Sequence, residues 1–327
     1  MPRKITIVMY HFVRDLKHSR YPEIKGLELQ DFVGQVGYMR AHYTPITMEE
    51  LIHAAHTKGY ELPPKALLLT FDDGYIDHFT NVFPVLDRYG IQGCFFPPAK
   101  AITKHLVLDV NKIHFVLASV NDTTRIIQTI FSDIRENQSG YSLDRPESYY
   151  EKLAVAGRYD TADVVFIKRI LQKGLPEELR ARMVDKLFAE FVTGDEAAFA
   201  RELYMDVEQL ECMRRNGMFI GSHGYDHYWL DSLSKEEQER EIDLSLKFLG
   251  GIGCDLENWV MCYPYGGYND SLLSILDMRG CRIGLSVSVG IADMERENPL
   301  ALSRIDTNDL PKRSDAQPNE WTRKIMV

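Results

Sequence analysis

The sequence predicts an α/β protein built on a parallel sheet or barrel, and three observations carry that expectation. Short apolar, β-rich runs alternate with helical patterns towards both ends of the chain, the order of βαβ units. Residues 104–205 interrupt the alternation with apolar side chains at i, i+3 and i+4 spacing. The three patches able to do chemistry all follow predicted strands, the edge that carries active-site loops in α/β barrels.

Residues 5–9 are a short apolar run, read as a first buried strand. Over 29–42, Leu29, Phe32, Val33, Val36 and Met39 recur at helical spacing. Thr47 with Glu50 three residues later is a capping box that opens a second helix, and Pro63-Pro64 closes that unit. Residues 65–71 read as a second buried strand ending at Asp72-Asp73-Gly74. A helix over 77–89 stops at Gly90, a C-cap, and 93–96 is a third strand closed by Pro97-Pro98. Between 104 and 205, Ile113, Val116 and Leu117, then Phe166, Ile170 and Leu171, then Met183, Leu187, Phe188 and Phe191 argue for a mostly helical insertion, with a loop around 137–140. The alternation resumes with a helix over 206–216, a strand at 218–222, a helix from Ser234 to about 249, and strands near 259–263 and 282–287. The expected organisation is therefore 1–103 and 206–307 as two parts of one barrel, 104–205 as the insertion, and 308–327 as a polar tail, either mobile or folded over the active site.

Composition narrows the function. The 327 residues include 38 basic and 48 acidic side chains, a net charge of −10, which argues against a dedicated nucleic-acid binder. With 45% hydrophobic and 26% charged residues, wholesale disorder is excluded. No apolar run approaches the ~20 residues needed to cross a bilayer. The N-terminal stretch, basic then apolar, reaches His11 quickly and offers no small-residue cleavage site. It reads as a strand rather than a signal peptide, and a cytoplasmic location is expected. Cys94, Cys212, Cys254, Cys262 and Cys281 are odd in number and contain no Cys-x-x-Cys, the pattern of reduced thiols.

The first chemical patch is Thr70-Phe71-Asp72-Asp73-Gly74-Tyr75. Adjacent carboxylates after an apolar strand repel unless a cation or proton separates them; the bland reading is a solvated helix-capping pair. The second is Ser222-His223-Gly224-Tyr225-Asp226-His227, whose two imidazoles can converge on one ion or arise by chance on a surface. The third, Cys262-Tyr263-Pro264-Tyr265-Gly266-Gly267-Tyr268-Asn269, is either an aromatic wall for a sugar or an ordinary turn with core tyrosines. Two imidazoles and one carboxylate make a three-ligand site with an open position, as in catalytic zinc, and leave the other carboxylate beside it as a general base.

With those residues in view, the chain resembles the polysaccharide deacetylases of carbohydrate esterase family 4, over roughly 1–100 and 206–306. The resemblance implies a distorted, partly open (β/α) barrel of about seven strands with a mostly helical insertion. In Thr70-Phe71-Asp72-Asp73-Gly74 it implies Asp72 as base and Asp73 as a metal ligand, with His223 and His227 the other two ligands. Tyr263-Pro264-Tyr265-Gly266 matches the motif that lines the substrate groove, where the Tyr265 backbone N–H helps hold the oxyanion. That motif ordinarily begins with an Arg that pairs with the base; Cys262 stands there, and Arg304 is the candidate replacement or simply part of a surface ion pair. No His follows His227, so the family's late acid His is missing, while Met9-Tyr10-His11 resembles the branch in which the acid comes from the end of the first strand. Tyr75 and Trp229 are further candidates for the substrate border, Trp229 being a stacking platform or a core residue.

The expected activity is hydrolysis of an N-acetyl group on an amino sugar, as a polysaccharide intermediate or as a nucleotide- or lipid-linked sugar. It would use a metal-bound water, Asp72 as base and His11 as acid. The ion would be zinc, with nickel, cobalt and iron also compatible with the ligand set. The insertion would shape the groove or build a homo-oligomer interface. The rivals are an amidohydrolase of the same fold acting on a small non-sugar amide, and an inactive carbohydrate-binding relative.

Overall fold

The computed structural model describes residues 4–157 and 160–325. They fall into two compact units, one comprising the chain up to Asp15, Gly26–Leu106 and everything from Arg201 onward, the other Leu16–Lys25 and Val107–Ala200.

The first unit is built on seven strands: β1 (Lys4–Tyr10), β2 (Ala66–Asp72), β3 (Gly93–Phe96), β4 (Phe219–Ile220), β5 (Val260–Cys262), β6 (Ile283–Val289) and β7 (Leu302–Asp306). They lie in the order β4-β3-β2-β1-β7-β6-β5, every neighbouring pair parallel. The sheet curls until its edge strands meet at Ser222, which bridges to Met261 beyond the end of β4. This is the expected distorted, partly open barrel. Its strands are short and apolar because both faces are covered, and all seven residues of β2 are buried. Alternation sends Ile5, Ile7, Leu68, Cys94, Phe96, Val260, Cys262, Ile283, Leu285 and Leu302 into one shared core. The opposite face of β5 sends Trp259, Met261 and Tyr263 into a second core with Ile242, Leu272, Ile275 and Leu276.

The helices of this unit include α1 (Leu29–His42), α2 (Met48–His56), α3 (Ala99–Lys104), α4 (Lys235–Gly251), α5 (Asp270–Met278) and α6 (Glu320–Ile325). Both capping boxes are formed, Thr47 with Glu50 on α2 and Ser234 with Glu237 on α4. The helix expected over 77–89 is broken: a wide turn at His78–Val82 precedes a helix at Phe83–Arg88. Pro84 explains the restart, since it lacks an N–H and crowds the carbonyl four residues back. The strand expected at 218–222 is cut to two residues where Gly221 passes the Phe96 ring; a Cβ there would lie 2.5 Å from it. The C-terminal segment packs on α1. Gln35 donates to the carbonyls of Thr307 (2.7 Å) and Leu310 (3.2 Å), and Tyr38 and Tyr43 share the Thr322 hydroxyl at 2.7 and 2.8 Å.

The second unit is helical, with its longest helices at Thr124–Tyr141 and Glu177–Phe191. Lys112 is buried between Asp185 and Glu196, and Asp133 is paired with Lys186. Residues 16–25, read from sequence as barrel, belong to this unit: Tyr21 packs edge-on against Phe115 and Phe199. None of the described helices is long and apolar enough to cross a membrane.

Gly34, inside α1, tests the seat of the C-terminal segment. A helical Gly→Ala change ordinarily stabilises by roughly 0.5–1 kcal/mol. Here the added Cβ would sit 2.1 Å from the Lys312 carbonyl oxygen. Gly34→Ala is expected to reverse the sign and cost about 1–3 kcal/mol in urea unfolding, the range for overpacking.

Candidate active site

Asp72 is the last residue of β2, and alternation places Leu68, Thr70 and Asp72 on the interior face. On β7 the same rule puts Arg304 beside Leu302, above the barrel core. The two meet: Arg304 Nη1 and Nη2 each donate to one Asp72 oxygen at 2.9 Å, a bidentate pair with both residues buried. Arg304 is fixed further by Nε to the Ser286 carbonyl (2.8 Å) and Nη1 to the Thr70 hydroxyl (3.1 Å). Burial alone would raise the Asp72 carboxyl; Arg304 foremost, then His223 and His11, bring it down to about 2. Cys262, where the family motif begins with Arg, is buried on β5 in the barrel core.

Asp73 leaves the strand with φ +71°, a left-handed conformation, and Gly74 follows at +69°, where a Cβ would lie 2.8 Å from Pro97. The turn carries the Asp73 carboxylate away from Arg304 and towards both histidines. Tyr75 donates its hydroxyl to Asp73 Oδ2 at 2.5 Å, leaving Oδ1 turned to His223 Nε2 (3.4 Å) and His227 Nε2 (3.2 Å). His223 Nδ1 is 2.7 Å from the Cys262 carbonyl, which can only accept, so that nitrogen carries a proton, and it is Nε2 that offers the lone pair when the ring is neutral. Asp73 Oδ1 is buried with no hydrogen-bond partner among the described residues.

Asp73, His223 and His227 thus turn one ligand atom each to a common point, all within 4.8 Å of one another. Three lone pairs facing one another call for a positive charge between them. Two of the three titration directions match that demand. The Asp73 carboxyl is held well below its ordinary range because the two imidazoles outweigh burial, and His223 is raised because Cys262 and Asp73 outweigh its burial, whereas burial lowers His227. Two imidazoles and a carboxylate also suit a first-row divalent ion. By donor type, placement and demand for charge, the residues fit such an ion.

The aromatic candidates separate. Tyr265 has φ +56° and His227 φ +57°, so with Asp73 three site residues hold left-handed conformations, worth about 1–3 kcal/mol of strain each. Half-buried Tyr265 lies edge-on to His227 (4.7 Å between ring centres) and stacks on half-buried Trp229 (4.6 Å, planes 1° apart). Tyr265 and Trp229 therefore form an aromatic shelf beside the histidines. Tyr263, Pro264 and Tyr75, read from sequence as substrate contacts, are buried and do not face a substrate. Tyr263 points to the helix-facing side of β5 and donates to the Leu300 carbonyl (2.6 Å); Tyr75 stacks on Phe12 (3.8 Å) and anchors Asp73.

His11 follows β1, where Tyr10 pairs with Phe71, so the register sets His11 alongside Asp72. It is half-buried and within electrostatic reach of Asp72, Asp73 and His227. His78, which belongs to none of the three sequence patches, has its Nε2 2.9 Å from the His11 carbonyl. Burial pushes the His78 imidazole down to about 4, so at neutral pH it is an uncharged donor that fixes the His11 backbone. Its place in the turn just after Asp72-Asp73 was the one available signal.

A family model described as polysaccharide deacetylase matches residues 59–134 and 187–284, just over half of the chain. The YxkH protein of Bacillus subtilis (strain 168), whose name refers to the same family, is 20% identical over 306 residues, 93% of this chain and 71% of its own. The poly-beta-1,6-N-acetyl-D-glucosamine N-deacetylase of Escherichia coli (strain K12) is 34% identical over 84 residues, 25% of this chain but 12% of that protein. Among solved structures, the Streptococcus pyogenes deacetylase PplD in complex with acetate superposes with a TM-score of 0.57 at 19% identity, over 94% of this chain and 93% of that one.

The buried Asp72–Arg304 pair makes its own prediction. Removing one partner of such a pair strands the other, so Arg304→Met should lower the unfolding free energy by about 3–5 kcal/mol in urea titration. The Asp72→Asn/Arg304→Met double variant should recover part of that loss, giving a non-zero coupling in the double-mutant cycle.

Proposed function

Because the chain belongs to the polysaccharide deacetylase family, whose chemistry is carbohydrate deacetylation, we propose that it hydrolyses the N-acetyl group of an amino sugar with a divalent ion held by Asp73, His223 and His227. The observation that carries this reading is the convergence of those three lone pairs beside a carboxylate already neutralised by Arg304.

When bound, the ion, zinc being our choice, supplies Lewis-acid activation of water and of the amide carbonyl. Asp72, kept ionised by Arg304, accepts the proton of the attacking water on an oxygen that retains a lone pair. The Tyr265 backbone N–H donates to the developing oxyanion, a contact of the kind worth ~10²–10³-fold. His11 gives its proton to the departing amine, without which the intermediate would expel hydroxide. Tyr265 and Trp229 offer an aromatic face to a sugar ring, an apolar surface that a pyranose can cover. The Escherichia coli relative is named for N-deacetylation of a poly-N-acetylglucosamine, and the Streptococcus pyogenes structure holds acetate, the acid this reaction releases. Substrate candidates are thus polymeric N-acetylhexosamines and nucleotide- or lipid-linked ones, the latter two if the protein works in the cytoplasm.

The test is acetate release by the metal-loaded protein from free, nucleotide-linked and oligomeric N-acetylhexosamines. Asp72→Asn and His11→Ala should each lower kcat by about 10²–10⁴-fold while binding metal as the parent does. Asp73→Ala should fail to retain metal in elemental analysis. An Asp73→Ala protein with full metal content and full activity overturns the assignment.

A further inference from the structure

The nine residues that carry both histidines have almost no regular structure. β4 ends at Ile220, and the next element is a single turn at Leu230–Ser232. Something outside the segment must hold it, because a loose loop cannot keep two imidazole rings 4.8 Å apart at 67°.

Backbone hydrogen bonding identifies what does. The Tyr225 and Asp226 N–H groups, successive residues between the histidines, both donate to Glu241 Oε2, at 3.0 and 2.9 Å. Gly224 N–H donates to the Ser222 hydroxyl (3.2 Å), which is itself bonded to the Ser245 hydroxyl (2.7 Å). The Leu230 carbonyl accepts from Gln238 Nε2 (2.8 Å). On the other side, the first residues of α3 close the loop, Ala99 N–H to the Gly224 carbonyl (3.3 Å) and Lys100 N–H to that of Tyr225 (2.8 Å), and the Lys100 ammonium pairs with Asp226. Gln238, Glu241 and Ser245 are all buried and lie at i, i+3 and i+7 on one face of α4.

A polar stripe on the buried face of a helix is costly to desolvate unless its groups are bonded; here Glu241 and Ser245 bond within the histidine segment and Gln238 donates to Leu230 at its end. Glu241 stands at its centre. Its carboxylate takes the place of a regular partner strand at the point where Gly224 (φ +73°) and His227 (φ +57°) turn left-handed. Resting on the metal-dependent reading above, we infer that Glu241 is a positioning residue: by gripping the Tyr225 and Asp226 N–H groups it sets the mutual orientation of His223 and His227, and so the affinity of the site for its ion. Ser245 and Gln238 pin the two ends of the same segment.

The experiment is zinc binding by the metal-stripped full-length protein, in competition with a chromophoric chelator, with apo melting temperatures recorded alongside. Glu241→Gln keeps a carbonyl acceptor at full reach and should bind zinc near the parent affinity. Glu241→Asp keeps the charge but is one methylene short, and should weaken zinc binding about 10–100-fold, the range for residues that orient metal ligands. Ser245→Ala, a milder cut in the stripe, should weaken it severalfold in a protein that melts normally, and decides the matter if Glu241→Asp does not fold. Parent-like affinity in a folded Glu241→Asp, or in Ser245→Ala when that variant has to decide, or a loss in Glu241→Gln equal to that in Glu241→Asp, overturns the inference. A parent protein that binds no zinc overturns the metal reading instead, so the two failures are distinguishable.

Discussion

Two neighbouring carboxylates buried at one point are the constraint around which this site is arranged. Asp72 and Asp73 are both almost inaccessible, and side by side in a low-dielectric setting they cannot both ionise unless each has its own positive partner. The fold sends the two carboxylates to different surroundings. Asp72 continues the pleat of β2 and meets a guanidinium from β7, while Asp73 turns left-handed and meets the imidazoles that follow β4. One strand end thereby produces two chemically different carboxylates, one held in a fixed ion pair and one left with an oxygen that asks for a cation.

Strand alternation does most of the sorting. It lines Thr70, Asp72 and Arg304 up on the interior side of the barrel, and on β5 it separates Cys262, facing in, from Tyr263, facing the helices. The left-handed residues do the rest, because only by leaving regular geometry can Asp73, His227 and Tyr265 turn towards one another. Their strain is carried by what surrounds them: the Tyr75 hydroxyl on Asp73, the Cys262 carbonyl on His223, and the Glu241 carboxylate beneath the loop.

Much of this was legible from the chain alone. The strand–helix order, both capping boxes and the spacing of the Asp-Asp and His-x-x-x-His patches encode barrel and site through local periodicity, which sequence displays directly. The geometry also brings Arg304 to Asp72, which the sequence offered only as a candidate, since nothing local marks a partner 232 positions away. Tyr75 and Tyr263 were misread because a tyrosine looks alike on a groove wall and in a core; the deciding fact for Tyr263 is its parity in the stretch that continues β5. Residues 16–25 went to the wrong unit because their anchor is an aromatic contact between Tyr21 and distant rings, not a period. His78 and Glu241 escaped notice for one reason: each acts on the backbone of another segment, and a backbone carries no sequence signature.

The place of β7 has a consequence for how the molecule is made. β1 lies between β2 and β7, so during synthesis β1 can gain one neighbour once residues 66–72 have emerged and the other only some 230 residues later. Until then the nascent polypeptide holds an acidic strand end with no guanidinium to meet it, beside an unpaired strand edge. Contacts of such long sequence separation are slow to close. Closure of this sheet is therefore expected to wait for β7, whose docking covers the open edge of β1 and delivers the counter-charge of Asp72 in one motion.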